Sequence, residues 1–206
     1  MVRAMNVNLQ RLIDANILLL EEIRDRTPDE ELRHWLNGNH GPGTMPFDAI
    51  VALARQGFEE GWVAADEVTG PYYRRQPIAP PSADTFFFSL SAVYIDSNNG
   101  DGVPGREDGT DTIFAGHYHG HPYGEINLVI PIDKGAELAG PDDWQGLGWV
   151  CAAPGTRHYP EVRNGALLTL YYLPAGRIHS STPRTFRRGR AAKSVSLYER
   201  RPLWRS

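Results

Sequence analysis

Near residue 70 the hydrophobic period of this chain changes, and that change limits the fold more than any other feature. Before it, Leu9, Leu12, Ile13, Ile17, Leu20 and Ile23 recur at helical spacing and predict a helix over about 8–25. Thr27-Pro28-Asp29-Glu30 reads as a helix start, with a cap, a proline in the first turn and a glutamate three residues on. The helix it opens carries Leu32 and Trp35 and stops near Gly38. A third helix is predicted over 46–60, with Phe47, Ile50, Val51, Ala54 and Phe58 on one face. From Gly70 onward the chain is rich in Tyr, Phe, Val, Gly and Pro. Short apolar runs over 85–95, 125–132, 148–152 and 167–173 read as strands. Strands so spaced predict an all-β sandwich or barrel. The 206 residues suffice for one substantial domain with an appendage. The expected division is a helical segment over 1–69, packed on the barrel or on a partner subunit, and a barrel with a basic tail over 70–206.

Charge and cysteine usage narrow the class. The net charge is −4, so the broad basic footprint of a nucleic-acid-binding protein is missing. Glu21, Glu22, Asp25, Asp29, Glu30 and Glu31 on the early helices would repel phosphates, which argues against a helix-turn-helix reading. Arg184, Arg187, Arg188, Arg190, Lys193, Arg200, Arg201 and Arg205 crowd the end and read as a solvated tail or a subunit contact. Cys151 is the single cysteine, so no internal disulfide framework exists, as suits a reducing compartment. It reads as a small core residue; service as a nucleophile with His158 is the weaker alternative. Ile17-Leu18-Leu19-Leu20 is too short to span a bilayer and is flanked by charges. A cytoplasmic protein with no nucleic-acid or membrane partner is expected. Asp96-Ser97-Asn98-Asn99-Gly100-Asp101-Gly102 has a superficial calcium-loop look, but its fifth position is Gly100 and a turn-rich hairpin loop is the better reading.

The chemistry concentrates in Gly116-His117-Tyr118-His119-Gly120-His121-Pro122-Tyr123-Gly124-Glu125. Alternate residues of a strand point to one side, so His117, His119 and His121 can share a face, with Glu125 returning after a Pro/Gly bend. Imidazoles and a carboxylate converging on a point suit a divalent transition metal. His158, in Ala153-Pro154-Gly155-Thr156-Arg157-His158, is the candidate for a further ligand. Spacing to Glu125 favours His119 and His121; ligation by His117 and His119 is the alternative register. A metal-free pocket lined by hydrogen-bonded histidines is also open. His40 and His179 fall in loop-like sequence, where surface roles are the default.

His119-x-His121-x-x-x-Glu125 resembles the first motif of the cupin superfamily, and Gly155-x-x-His158 resembles the second. The second motif departs twice: its proline is displaced to Pro154, and Val162 stands where an asparagine is usual. The resemblance implies a mainly β fold, a double-stranded β-helix (jelly-roll) barrel with an N-terminal α-helical segment. It further implies one divalent transition metal held by His119, His121, Glu125 and His158. Iron, manganese, nickel, cobalt and zinc all accept such ligands. Four protein ligands around an ion that accepts six leave room for substrate or water, a catalytic arrangement.

A closer resemblance covers most of the chain, from the third helix to about His179. Gly61-Trp62, Tyr72-Tyr73-Arg74-Arg75, Phe88-Ser89-Leu90, Glu125-Ile126-Asn127-Leu128, Gly148-Trp149 and Tyr172-Leu173-Pro174-Ala175-Gly176 follow the order seen in the 4-hydroxylaminobenzoate lyase family. That family converts an aryl hydroxylamine acid to 3,4-dihydroxybenzoate and ammonia in nitroaromatic breakdown. Water enters, ammonia leaves and the N–O bond breaks, so protonation or Lewis-acid coordination of the leaving oxygen should help. The substrate expected is a small aromatic carboxylate. His117 or Tyr123 is assigned proton transfer beside Glu125. Arg157 or Arg163 is expected to clamp the carboxylate, with Tyr159 among the aromatic residues able to form a slot for the ring. The rival readings are another metal-dependent cupin enzyme, such as a dioxygenase of aromatic substrates, and a non-catalytic ligand-binding cupin. A homodimer is expected, because barrel edges need covering.

Overall fold

A computed structural model describes residues 7–68, 70–98, 103–104 and 112–180. Three helices come first: α1 (Val7–Ile23), α2 (Glu30–Asn39) and α3 (Phe47–Glu59). The strands follow as β1 (Asp66–Glu67), β2 (Tyr73–Ala79), β3 (Phe88–Asp96), β4 (Val103–Pro104), β5 (Thr112–Ala115), β6 (His119–His121) and β7 (Glu125–Pro131). After these come β8 (Glu137–Ala139), β9 (Trp144–Gln145), β10 (Gly148–Ala152), β11 (Thr156–His158), β12 (Glu161–Arg163), β13 (Ala166–Pro174) and β14 (His179–Ser180). The helix expected to start at Thr27 is capped by Asp29 instead, whose Oδ1 accepts the Leu32 amide at 2.9 Å. The strand expected from residue 85 begins at Phe88, since Phe86 and Phe87 adopt φ of 49° and 62° in a turn. The basic tail and Asn99–Gly102 of the calcium-like loop lie outside the described residues.

The architecture is a cupin-type β-sandwich with three N-terminal helices. A six-stranded sheet runs β1-β2-β3-β13-β7-β10, opposed by a five-stranded sheet β4-β5-β12-β8-β9 and a three-stranded one β11-β6-β14. Every pairing among the described residues is antiparallel. Period-2 alternation divides the large sheet into two faces. Ile126, Leu128 and Ile130 of β7, with Leu168, Leu170 and Tyr172 of β13, pack against the helices in one apolar cluster. Val129 and Leu167 face the opposite way and join Phe114, Leu138 and Val162 of the facing sheet.

The helical layer is tied to the large sheet by polar bonds as well as apolar burial. β10 is an edge strand, and an unpaired edge is a liability. The Asn37 side chain of α2 occupies that edge like a further strand: Oδ1 accepts the Trp149 amide at 2.9 Å and Nδ2 donates to the Trp149 carbonyl at 2.9 Å. Trp149 is fully buried and donates its indole N–H to the His40 carbonyl at 2.7 Å. Beneath α1, Tyr172 Oη donates to Asn16 Oδ1 at 2.6 Å, and Asn16 Nδ2 donates to the Leu12 carbonyl. His40, expected at the surface, is instead buried at the end of α2, with Nε2 3.2 Å from Glu22 Oε2. Its ring packs on Trp35, which a reading of local loop sequence could not foresee. His179 is exposed but lies in β14, paired with Gly120.

Candidate metal centre

β6 and β7 belong to different sheets, and the turn between them builds one side of the site. On β6, His119 and His121 project to the same side. The chain then reverses through Pro122-Tyr123-Gly124, with the Gly124 amide donating to the His121 carbonyl at 3.2 Å. Gly124 has φ +84°, and a Cβ there would stand 2.8 Å from both the Ala152 carbonyl oxygen and Pro28 Cβ. Only glycine allows this turn, and the turn returns Glu125 beneath His121. The second half comes from the Ala153-Pro154-Gly155 turn. The Gly155 amide donates to the His121 carbonyl at 2.8 Å, and β11 pairs with β6 so that His158 lies opposite His119.

Four side chains thereby converge. His121 Nε2 lies 3.0 Å from His158 Nε2, and His158 Nε2 lies 3.2 Å from His119 Nε2. Glu125 Oε2 is 3.3 Å from His121 Nε2 and 3.6 Å from His158 Nε2. The ligand atoms of all four residues lie within 4.8 Å of one another. His121 is 1 % exposed, and Glu125 and His158 are each 4 % exposed. Burial, reinforced by the His119 imidazole, lowers His121 to about 3; burial likewise lowers His158 to about 3 against the opposing pull of Glu125. Both rings are therefore neutral at ordinary pH, each with one unprotonated nitrogen. His119 Nδ1 lies 2.6 Å from the His117 carbonyl oxygen, so Nδ1–H donates there and the Nε2 lone pair faces the centre. Lone pairs of neutral imidazoles brought this close to a carboxylate repel unless a shared cation or proton lies among them. Three nitrogens and one carboxylate oxygen form a donor set that fits a divalent transition metal.

The cluster opens into a cavity with about 440 Å³ between its lining atoms, mouth included. Tyr73, Val93, Asn127, Leu138, Thr169 and Tyr171 form much of its wall. Burial pushes the Tyr73 and Tyr171 phenols up, so both remain protonated donors. Thr169 Oγ1 donates to Asn127 Oδ1 at 3.3 Å. The other residues singled out from sequence lie elsewhere. His117 is exposed, and its ring meets Tyr73 edge-on at 5.8 Å between centroids; its backbone carbonyl, not its imidazole, supports the cluster. Tyr123 is 53 % exposed and lines a separate surface cleft with Arg24, Phe86 and Pro154. Tyr159 packs on Tyr118. Arg157 is exposed on β11, on the opposite face from His158. Arg163 follows the inward-facing Val162 and so turns outward, pairing with Glu137 at 2.6 Å and lying over Trp144. Cys151 faces the helical layer, and burial raises its thiol far above the usual range. Tyr73, Asn127 and Thr169 escaped the sequence reading because ordinary strand residues announce no chemistry until their facing direction is known.

A β-sandwich enclosing a three-histidine, one-carboxylate cluster is cupin-like. Among solved structures, the chain is similar to the DMSP lyase DddQ from Ruegeria pomeroyi DSS-3, with a TM-score of 0.40 and 13 % identity over 88 % of this chain and 95 % of that one. It is also similar to a cupin-like protein from Thermotoga maritima, with a TM-score of 0.32 and 14 % identity over 53 % of this chain and 75 % of that one. Sequence relatives are much nearer. A 4-hydroxylaminobenzoate lyase from Pseudomonas putida is 49 % identical over 168 residues, covering 81 % of this chain and 92 % of that protein. A 4-hydroxylaminobenzoate lyase from Nocardioides sp. (strain LMS-CY) is 46 % identical over 169 residues, covering 82 % and 92 %. Residues 14–180 match the PnbB 4-hydroxylaminobenzoate lyase family, and the chain belongs to that family. No described helix is long and apolar enough to cross a membrane.

Proposed function

We propose that this protein is a metal-assisted lyase that converts 4-hydroxylaminobenzoate to 3,4-dihydroxybenzoate and ammonia. The observation that carries this reading is the identity of nearly half the residues to two 4-hydroxylaminobenzoate lyases over four-fifths of the chain. The buried cluster supports the metal: His119, His121, Glu125 and His158 would hold one divalent ion. When bound, such an ion supplies Lewis-acid stabilisation of charge developing on a substrate oxygen.

The overall reaction takes up two waters and releases one water and ammonia. Heterolysis of the N–O bond, with a proton delivered to the departing oxygen, leaves the ring electron-poor beside the nitrogen-bearing carbon. One water adds there, and a second hydrolyses the imine. Nitrogen is reduced as the ring is oxidised, so no external oxidant is needed. The chain's own contribution is to hold the ring away from bulk water and to provide the proton. Tyr73 Oη is the donor in this scheme: it lines the cavity, burial keeps it protonated, and the exposed His117 ring beside it offers a route for reprotonation.

Anaerobic turnover of 4-hydroxylaminobenzoate, before and after chelation, tests the proposal. Catechol product and ammonia in equal amounts without oxygen, lost on chelation and restored by a defined ion, is the expected result. Product that persists in metal-free protein would move the cluster from ligation to acid–base work. Turnover only with oxygen consumption would make the protein a dioxygenase.

A further inference from the structure

Two adjacent arginines on β2 face opposite layers. Arg74 pairs in register with Tyr94 and turns to the helices, where its Cζ lies 4.7 Å from the Phe58 ring centroid and 4.6 Å from that of Tyr94. It fastens α3 to the sheet. Arg75 pairs with Val93, a wall residue of the cavity, so its side chain leaves the strand on the cavity side. Its Cζ lies 5.6 Å from the centroid of Tyr171, which lines the cavity that also holds His119, Glu125 and His158.

The guanidinium lies over the Tyr171 ring. Among the described residues no carboxylate lies within 4.0 Å of it, and its Nε is buried without a hydrogen-bond partner. A guanidinium presents N–H donors in a planar fork that fits a carboxylate in bidentate fashion. Its charge is felt inside the cavity, where it opposes the upward push of burial on the Tyr171 and Tyr73 phenols.

The geometry points to Arg75 as the anchor for the substrate's carboxylate, with the Tyr171 phenol beside it. This deepens the lyase reading and rests on it. A para-substituted benzene ring is rigid, so fixing the carboxylate on Arg75 also fixes where the nitrogen substituent falls. The site would then select para-substituted benzoates over aryl hydroxylamines that lack the acid. Neither Arg157 nor Arg163 serves this purpose, since both leave their strands on the outer face.

The test uses the full-length, metal-loaded protein and its Arg75→Met and Arg75→Lys variants. Calorimetry with 4-aminobenzoate, which cannot react, reads binding alone. Turnover of 4-hydroxylaminobenzoate and of N-phenylhydroxylamine reads selectivity. Arg75→Met is expected to weaken 4-aminobenzoate about 10- to 100-fold, the range for a hydrogen-bonded charge. It should raise KM for 4-hydroxylaminobenzoate and collapse its preference over N-phenylhydroxylamine by a similar factor. Arg75→Lys, which keeps the charge and loses the fork, should fall between. Wild-type affinity for 4-aminobenzoate in a folded Arg75→Met protein, or an unaltered preference between the two hydroxylamines, would overturn the anchor while leaving the lyase intact. Binding of 4-aminobenzoate that depends on Arg75, without turnover of the hydroxylamine, would keep the anchor and overturn the lyase.

Discussion

The two faces of the large sheet are built by the same strands and do different work. On β7, Ile126, Leu128 and Ile130 sit against the helices, while Glu125, Asn127 and Val129 look into the barrel. On β13, Leu168, Leu170 and Tyr172 face the helices, and Thr169 and Tyr171 face the cavity. The helix-facing side is almost wholly apolar, and its few polar groups are paired, as with Tyr172 and Asn16. The cavity side carries charges and phenols. Stability and chemistry are thus divided by residue parity along one strand, so a single-residue step changes which property a substitution touches.

That division can be broken from either side. The largest effect is expected at the cluster. His158→Ala should lower kcat/KM on the order of a thousandfold, several kcal/mol of transition-state stabilisation, together with metal content. Metal analysis beside steady-state kinetics checks this. On the other face, Trp149→Ala should cost about 3–5 kcal/mol of stability. Denaturant unfolding reads that loss, and activity per folded molecule should survive. Catalysis lost in step with stability in both variants would erase the distinction between the faces.

Acid sharpens the comparison. His121 and His158 titrate near 3 in the fold against 6.5 for a free ring, with burial the main cause in each. Between those values the unfolded chain binds protons that the folded chain refuses. Their contribution to the stability of metal-free protein is therefore complete above about pH 6.5 and is lost as pH falls towards 3. Thermal melts of chelated protein across that window should show the decline, and His121→Asn should flatten it.

Smaller effects belong to the helical layer. Asn37→Ala strips both partners from the Trp149 backbone at the β10 edge and should cost about 1–3 kcal/mol. Asp29→Ala removes the α2 cap and should cost about 1 kcal/mol. Both are read by denaturant midpoints, and neither should alter metal content.

Much of this could be read from the chain. The helices over 8–25 and 46–60, the strand over 148–152 and the grouping of His119, His121, Glu125 and His158 rest on periodicity and motif spacing, which are local properties. The alternation of His119 and His121 fixes that they share a side wherever the strand lies. Long-range placement was beyond local reading. His40 became a buried residue because Trp35 of its own helix is joined by Glu22 and the Trp149 indole from elsewhere in the chain. Arg157 and Arg163 looked well sited beside His158, yet strand parity turns both outward. Arg75 drew notice only as part of a family pattern, although the register of β2 against β3 turns it to the cavity side. The sequence by itself determined the three helices, the strands β3, β7, β10 and β13, the cupin motifs and the donor set, because each depends on spacing within a few residues. Only the tertiary structure decided which face of each strand meets the helices and which meets the cavity. That choice is made by pairing between strands far apart in sequence and by the apolar area each face can bury.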